Sequence, residues 1–275
     1  MRILAAFKMV ANLEDLTEGD WKIGPNLRPE EAYARPIVNP DDESALELAL
    51  RLREALGTDK VYLSAITLGD SPGARRVGQT LKALGFDRVT IAVAPKDSRF
   101  CPDLIAGRLA PLAEGFDLIV TGCRSADGQN GLTAMYLAER LGFPLIVETL
   151  NFYPAGPGQI AVESLSDDGI LSQILTPPIV LAIGNAPSAF LRVPTIKARL
   201  DAAKSPLDII APPADPSANH PETTEAYRQP TGTESFASLT TLERLERKRQ
   251  GQLITEGSPA EKAARLLDAL NGWKR

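Results

Sequence analysis

Residues 116–144, FDLIVTGCRSADGQNGLTAMYLAERLGFP, constrain this chain more than any other stretch. A run with the character of a buried strand passes through a loop of Gly, Asp and Asn directly onto an amphipathic helix. Free N–H groups at such a helix start, polarised by the helix dipole, attract an anion, and small loop residues let the backbone approach it closely. The junction suits a nucleotide phosphate; it equally suits a plain tight turn in a doubly wound sheet. It has neither a Walker lysine nor the three spaced glycines of a dinucleotide fingerprint.

The rest of the chain repeats the theme. Strand-like runs recur at 3–8, 61–67, 88–93, 118–121 and 179–183, with helical patterns between the first four. That alternation predicts an α/β fold, a Rossmann-like, doubly wound, mostly parallel sheet covered by helices. Helix starts are written in capping chemistry. Asn39-Pro40 sets an N-cap residue before a proline at the first helical position, and Asp41, Asp42 and Glu43 follow at the positive end of the dipole. Ser71-Pro72 repeats the device. From 41 to about 56 the spacing puts Ala45, Leu46, Leu48, Ala49 and Leu52 on one apolar face suited to packing on a sheet. Residues 158–175, GQIAVESLSDDGILSQIL, break the rhythm and read as a β-hairpin turning at Asp168-Gly169, which either extends the sheet or projects from it.

A chain of 275 residues with 44% hydrophobic content can bury one core of ordinary size and still carry a tail. The tail begins after Leu207: residues 208–235 hold five prolines among polar side chains and are expected to contain no packed element. Beyond them, 239–250 and 258–273 read as helices, the second opened by a capping box of Ser258, Pro259 and Glu261 and striped by Leu266, Leu267 and Leu270. The expected organisation is an α/β domain at 1–207 and an extended C-terminal arm at 208–275 ending in a helix. Such an arm either folds back on its own domain or docks on a partner.

A net charge of −5 with both signs interspersed leaves no footprint for nucleic acid. One histidine, His220, and two cysteines, Cys101 and Cys123, offer neither metal spacing nor His-based catalysis, and Cys123 reads as a packing residue at a strand end. The opening MRILAAFKMV has too short an apolar stretch for a signal peptide, and no run reaches the roughly 18 apolar residues of a membrane span. A soluble, cytoplasmic protein without membrane insertion is expected. In a doubly wound sheet, residues 6–10, the loop before Asn39 and the 122–133 loop converge at the carboxyl edge, where open α/β sheets bind ligands. The acids there, Asp41, Asp42 and Asp127, read as caps, and no proton-transfer pair is visible. Binding is expected rather than catalysis, with no catalytic residue and no metal.

Eight segments carry a resemblance in the same order: ILAAFKMV, NPDDESALELALRLRE, ALGFDRVTIAV, GCRSADGQNGLTAMYLAERLGFP, the hairpin, PPIVLAI, VPTIKAR and GQLITEGSPAEKAARLLDAL. Together they resemble the β subunit of electron transfer flavoproteins over essentially the whole chain. The resemblance implies a Rossmann-like adenine-nucleotide-binding subunit that holds AMP, or a second FAD in electron-bifurcating types, and pairs with a larger α subunit carrying the redox FAD. The heterodimer would pass electrons from NADH or a flavin dehydrogenase, such as an acyl-CoA dehydrogenase, to a quinone oxidoreductase or ferredoxin. Carried over by position, Ala6, Asn39 and Leu68 would line the adenosine pocket, Asp127, Gly128, Gln129, Asn130 and Gly131 would form the phosphate loop, and Thr133 would supply a phosphate-contacting hydroxyl. Lys8 and Leu13 would lie in the loop that faces the α-subunit flavin. Val193 would take the place of a leucine that anchors in a dehydrogenase pocket, in the manner of an interface hot spot. Lys197, Arg199 and Lys204 beside it would steer an acidic partner or form a solvated helix face.

The chain departs from that pattern at identifiable places. Leu132 and Ala134 stand where a glutamine and a glycine commonly flank the Thr133 position. The lost amide donor removes a hydrogen bond to phosphate worth roughly 1.5–3 kcal/mol. Ser164 and Leu165 replace a basic residue and an acidic switch residue of the hairpin, so the ion pairs that acid makes between subunits are not available. The long arm and its GSPAEKAARLL tail resemble specialised bacterial members, and an atypical one is expected here. A stand-alone adenine-nucleotide sensor or storage protein using the same crevice is the alternative; an adenylating hydrolase would need a general base or metal cluster that the edge does not offer.

Overall fold

The computed structural model describes residues 1–17, 34–94, 98–184, 186, 189–210 and 258. The chain divides into two units, Met1–Ala218 and Asn219–Arg275, and the described fold lies in the first, Ser258 apart. The expected helices at 239–250 and 258–273 fall outside the described residues.

The strands are β1 (Arg2–Ala6), β2 (Met9–Ala11), β3 (Pro36–Val38), β4 (Tyr62–Leu68), β5 (Arg88–Ala92), β6 (Leu118–Gly122), β7 (Leu145–Gly156), β8 (Gln159–Ser166), β9 (Gly169–Leu175), β10 (Ile179–Ile183) and β11 (Asp208–Ile210). The helices are α1 (Pro40–Leu56), α2 (Pro72–Ala83), α3 (Pro102–Ala113), α4 (Thr133–Leu141) and α5 (Ile196–Ala202). One sheet runs in the order β11-β5-β4-β1-β6-β10-β7-β8-β9. It is parallel from β11 to β7, and antiparallel where β8 and β9 are added. The α/β, doubly wound reading of the sequence holds.

Alternation along the strands builds two cores. Ile3, Ala5 and Phe7 of the first strand region, with Leu118 and Val120 of β6, face Leu46, Leu48, Ala49 and Leu52 of α1. Leu4, Ala6, Ile119 and Val180 face Ala106 and Leu109 of α3 and Leu137 of α4. With both faces covered, the central strands read as continuous apolar runs. The chain winds outward from β1 through α1 to β4 and through α2 to β5, then crosses by α3 to β6 on the other side of β1. Strand order therefore reverses between β1 and β6, which opens a crevice at their carboxyl ends.

Three differences from the sequence reading have physical causes. The first strand ends at Ala6 rather than at residue 8, because the Lys8 N–H leaves the ladder for the Asp42 carboxylate at 2.8 Å. The hairpin extends the sheet, as one of the two options required, but it is preceded by the twelve-residue β7, which the sequence reading passed over. Apolar and polar residues along β7 follow no clean alternation, since its two halves serve different neighbours. The segment after Leu207 does hold a packed element at its start: Asp208, Ile209 and Ile210 pair in parallel with Thr90, Ile91 and Ala92. Residues 208–210 look like arm by composition but add a last rung at a sheet edge, where backbone pairing asks little of side chains.

Candidate functional site

A cavity of about 410 Å³ lies at the reversal point. Its floor is the end of the first strand region, Ala6 to Met9. One wall carries Ile66, Leu68, Val93, Ile105 and Leu109, and the other is the Gly122–Ser125 stretch with Asn130, Gly131 and Thr133. Apolar walls on one side and polar backbone on the other are the usual composition of a small-molecule site. Helix α4 opens on this cavity with Leu132 at its N-cap and no side chain capping it, so first-turn N–H groups and the positive end of the dipole remain available to an anion. Asn130 shapes the approach by accepting the Leu132 N–H through its side-chain oxygen, at 3.2 Å.

The polar residues around this loop are cross-braced. Asn39 sits ahead of α1 but does not cap it; its side-chain NH₂ donates to the Arg124 carbonyl at 2.7 Å and its carbonyl accepts the Ala126 N–H at 2.9 Å. Asp41 accepts the Arg124 N–H at 3.1 Å. Asp42 accepts from Lys8 N at 2.8 Å and from Gly122 N at 2.6 Å. Asp127 forms an ion pair with Lys8 at 2.7 Å. The expectation that Asn39, Asp41, Asp42 and Asp127 act as helix caps is thus corrected: all four spend their side chains across the crevice, on the other elements that line or support it. At the next helix the expectation stands, since Ser71 caps α2 by accepting the Ala74 N–H.

The charges around the loop are largely paired, so the acids there do not bar an anion. Asp127 is almost wholly buried, at 2% side-chain exposure, and would repel a phosphate if left alone. The Lys8 ammonium cancels it and also reaches Ser125 Oγ at 3.4 Å and the face of the Phe100 ring at 5.2 Å. Burial pushes the Asp42 carboxyl up to about 7, against the pull of the Lys8 and Gly122 N–H groups and of the Asn39 amide. Burial likewise raises Asp41, opposed by the Arg124 N–H, and raises the Cys123 thiol, which packs half-buried at the end of β6. Arg124 turns its guanidinium to Glu148, which lies on β7 with a positive φ of 48°.

Most of the positions carried over by resemblance come together. Ala6, Lys8, Asn39, Leu68, Asn130, Gly131 and Thr133 line the cavity. Gln129 faces a neighbouring cavity of about 370 Å³ that also meets Asn39, Asp41 and Arg124. Asp127 and Gly128, in the same loop, do not line the cavity; a Cβ on Gly128 would come within 3.3 Å of the Phe100 ring and of Ser125 Oγ. Leu13 lies in a short 3-10 turn, Leu13–Asp15, and is not among the residues lining the cavity. Ala134 packs inside the second core and Leu132 is exposed. The sequence reading put Asp42 and the loop holding Arg124 and Ser125 at this edge but named none of the three as a site residue, and took Asp42 for a cap. Their only signal was adjacency to Asn39 and to the Gly/Asp loop.

Val193, Lys197 and Arg199 lie apart from the cavity, on the exposed stretch that leads into and forms α5. Val193 is 78% exposed, and Phe190, Ile196 and Leu200 are exposed with it. Arg192 pins this stretch to α1. Its guanidinium reaches the buried Glu47 at 2.8 Å and also Glu54, and its backbone N–H donates to Glu47 at 3.2 Å.

The sequence model of the electron transfer flavoprotein domain matches residues 30–214, which span α1, the 122–133 loop and every strand from β3 to β11, while β1 and β2 precede the match. The chain belongs to the electron transfer flavoprotein family. Similar chains agree. It is 29% identical to YgcR of Escherichia coli K12, a protein named as an electron transfer flavoprotein subunit, over 97% of this chain and 96% of that one. It is 25% identical to the acryloyl-CoA reductase electron transfer subunit gamma of Anaerotignum propionicum, over 66% and 67% of the two chains. The electron transfer flavoprotein subunit beta of Mycobacterium tuberculosis is 26% identical over 71% of this chain and 72% of its own. The protein is therefore an electron transfer flavoprotein β-like chain. Among the described residues no helix is long and apolar enough to cross a membrane.

Proposed function

We propose that this chain is the nucleotide-holding β subunit of an electron transfer flavoprotein. It binds the adenosine monophosphate part of AMP or of a second FAD in the crevice between β1 and β6. An α subunit carries the redox FAD, and the pair moves electrons from a flavin dehydrogenase to a quinone oxidoreductase or ferredoxin. The observation that carries the nucleotide half is the join of an apolar slot to an uncapped helix start whose loop acid is already neutralised by Lys8. Ile66, Leu68, Ile105 and Leu109 would hold the adenine face. Asn130, Gly131, Thr133 and the first-turn N–H groups of α4 would hold phosphate. A bound flavin would supply the electron chemistry; the residues of this chain bind, orient and exclude water. Val193 with its exposed apolar neighbours would dock the dehydrogenase, and Lys197 and Arg199 would steer it. The relative named for acryloyl-CoA reductase supports a partner that acts on CoA thioesters. The 208–275 arm would grip the α subunit beyond β11.

Co-expression with the candidate α subunit, followed by size-exclusion chromatography and identification of the nucleotide freed on denaturation, tests this reading. A yellow heterodimer that releases FAD together with AMP, or with a second equivalent of FAD, is expected. A colourless chain that ignores the α subunit yet releases an adenine nucleotide would instead make it a stand-alone binding protein. Ending the chain after Ile210, so that β11 is kept, should abolish the heterodimer while leaving AMP binding intact.

A further inference from the structure

We propose that Asp42 is the positioning residue of the crevice: its single carboxylate brackets the carboxyl ends of β1 and β6 and so sets the distance between the Lys8 arm and the phosphate loop. The proposal rests on the adenine-nucleotide reading of this cavity. Between β1 and β6 the paired register covers only Ile3, Ala5 and the residue between them, opposite Leu118 to Val120. Beyond that point the strands would be free to part, and Asp42 bridges them there, taking Lys8 N on one oxygen and Gly122 N on the other, at 2.8 and 2.6 Å. The carboxylate replaces the rungs that the ladder no longer makes.

The bracket is built into the sequence on both sides. Asp42 lies in the first turn of the seventeen-residue α1, where the dipole favours a negative charge. Gly122 has to lack a side chain, because a Cβ would collide with Asp42 Oδ1, lie 2.9 Å from Asp41 Cβ and meet the Asp42 backbone nitrogen at 3.0 Å. Asp42 itself lines the cavity while remaining 7% exposed. The two N–H groups it takes are the last of one strand region and the last of the other, so the ligand's floor and its phosphate wall hang from one group.

The groups around it make the bracket sensitive to protons. Asp41, one residue earlier on the same helix, adds negative charge, Lys8 spends its ammonium on Asp127, and beyond Gly122 stand Cys123 and Arg124, the latter turned toward Glu148. Burial then dominates and raises the Asp42 carboxyl to about 7. A protonated carboxyl presents a donor where one of the two N–H groups needs an acceptor. The bracket opens on one side, and nucleotide affinity falls as the pH drops through neutrality.

Two measurements on the purified full chain test this. The first is AMP titration by calorimetry between pH 6 and pH 8, for the wild type and Asp42→Asn. AMP is the probe because both candidate ligands contain it, and its own phosphate titration, with a pKa near about 6, is shared by the two proteins. The wild type should lose about tenfold more affinity than the variant between pH 8 and pH 6, and the variant should bind about tenfold more weakly at pH 8. Equal affinities and parallel profiles overturn the proposal. The second is a pH titration of the ligand-free wild type by ¹⁵N NMR. The Lys8 and Gly122 amides should shift together with one midpoint near 7; amides that do not respond overturn the bracket whatever the variant does. A wild type that binds no AMP at any pH, with amides that still titrate, overturns the nucleotide reading and with it the positioning role.

Discussion

At the scale of single residues, the crevice depends on a few side chains that each hold two backbone segments. Asn39 is the plainest, because one planar amide donates to the Arg124 carbonyl and accepts from the Ala126 N–H. Asn39→Asp keeps the shape and the acceptor but turns the donor into an oxygen facing a carbonyl. A lost hydrogen bond of this kind with a repulsive replacement is worth about 1–3 kcal/mol, so AMP affinity should fall by about tenfold or more by calorimetry; unchanged affinity would remove Asn39 from the site. Gly122→Ala tests the floor differently. Overpacking against Asp41 and Asp42 should cost about 1–3 kcal/mol, seen as a lowered melting temperature. Gly73→Ala is its control, meeting only the Met9 and Pro36 side chains at 3.3 Å. Asp42 also makes stability depend on pH, and in the opposite sense to affinity. Its carboxyl is raised in the folded chain to about 7 from an ordinary value of 3.8, so the fold holds this proton more tightly than the unfolded chain does. The gain is complete below the ordinary value and is lost as pH climbs through about 7. At about 1.4 kcal/mol per pH unit it amounts to a few kcal/mol. Between pH 4 and pH 7 the melting temperature of Asp42→Asn should therefore rise relative to that of the wild type as pH increases.

At the scale of elements, α1 is the organiser. Its first turn holds the crevice through Asp41 and Asp42, while further along Glu47 and Glu54 hold Arg192 and the exposed stretch around Val193. In Glu47, burial works against ionisation, but the hydrogen bonds from Arg192 and Arg51 outweigh it and keep the carboxyl below its usual range. Arg192→Met would leave that buried carboxylate with Arg51 alone. Breaking a buried pair by removing one partner costs about 3–5 kcal/mol, and since Arg51 remains the expected loss is smaller, about 1–2 kcal/mol. The variant should be cut faster by protease at 189–195 and, if a dehydrogenase docks here as proposed, bind it more weakly, with AMP affinity unchanged. An unaltered cleavage rate would show that the clasp does not hold the stretch. This helix also marks where sequence reasoning succeeds and where it stops. Its apolar face was legible because period and sheet packing leave a regular trace in Ala45, Leu46, Leu48, Ala49 and Leu52. The mostly parallel, doubly wound sheet followed from the alternation of elements, and most of the nucleotide-site positions carried over by resemblance do line the cavity. The work of Asp41, Asp42 and Asn39 was not legible, because an N-cap and a cross-loop acceptor use the same residue types at the same place in the chain. Only the arrival of Gly122, Arg124 and Ala126 from some 80 positions away decides between them. The rung at β11 and the mixed β7 were missed for a related reason: backbone pairing at a sheet margin imposes almost no side-chain pattern.

At the scale of the whole molecule, the sheet is asymmetric. Its parallel centre is covered on both faces, whereas among the described residues no strand pairs with the outer side of β9. That margin is apolar: Ile170 and Ile174 are 67% and 65% exposed, with Leu165 and Leu171 beside them. An unpaired edge rich in apolar side chains and free of charge is a template for association, and chains that stay monomeric usually blunt such edges with lysine, proline or a bulge. The resemblance puts an acidic residue where this chain carries the exposed Leu165, so an ion pair from that position is not available here. An α subunit that meets this chain at the hairpin would bury that margin rather than pair ions across it. Replacing Ile170 and Ile174 together by lysine should then weaken heterodimer formation by about a hundredfold, the scale expected when two apolar anchors are lost from an interface. The melting temperature and AMP affinity of the isolated chain should not move, because both side chains are already in water and far from the crevice. The heterodimer of an apolar margin should also be insensitive to salt, whereas one held by ion pairs loosens as ionic strength rises. Assembly that survives both lysines but fails at high salt would locate the α subunit on a charged surface instead, away from β9.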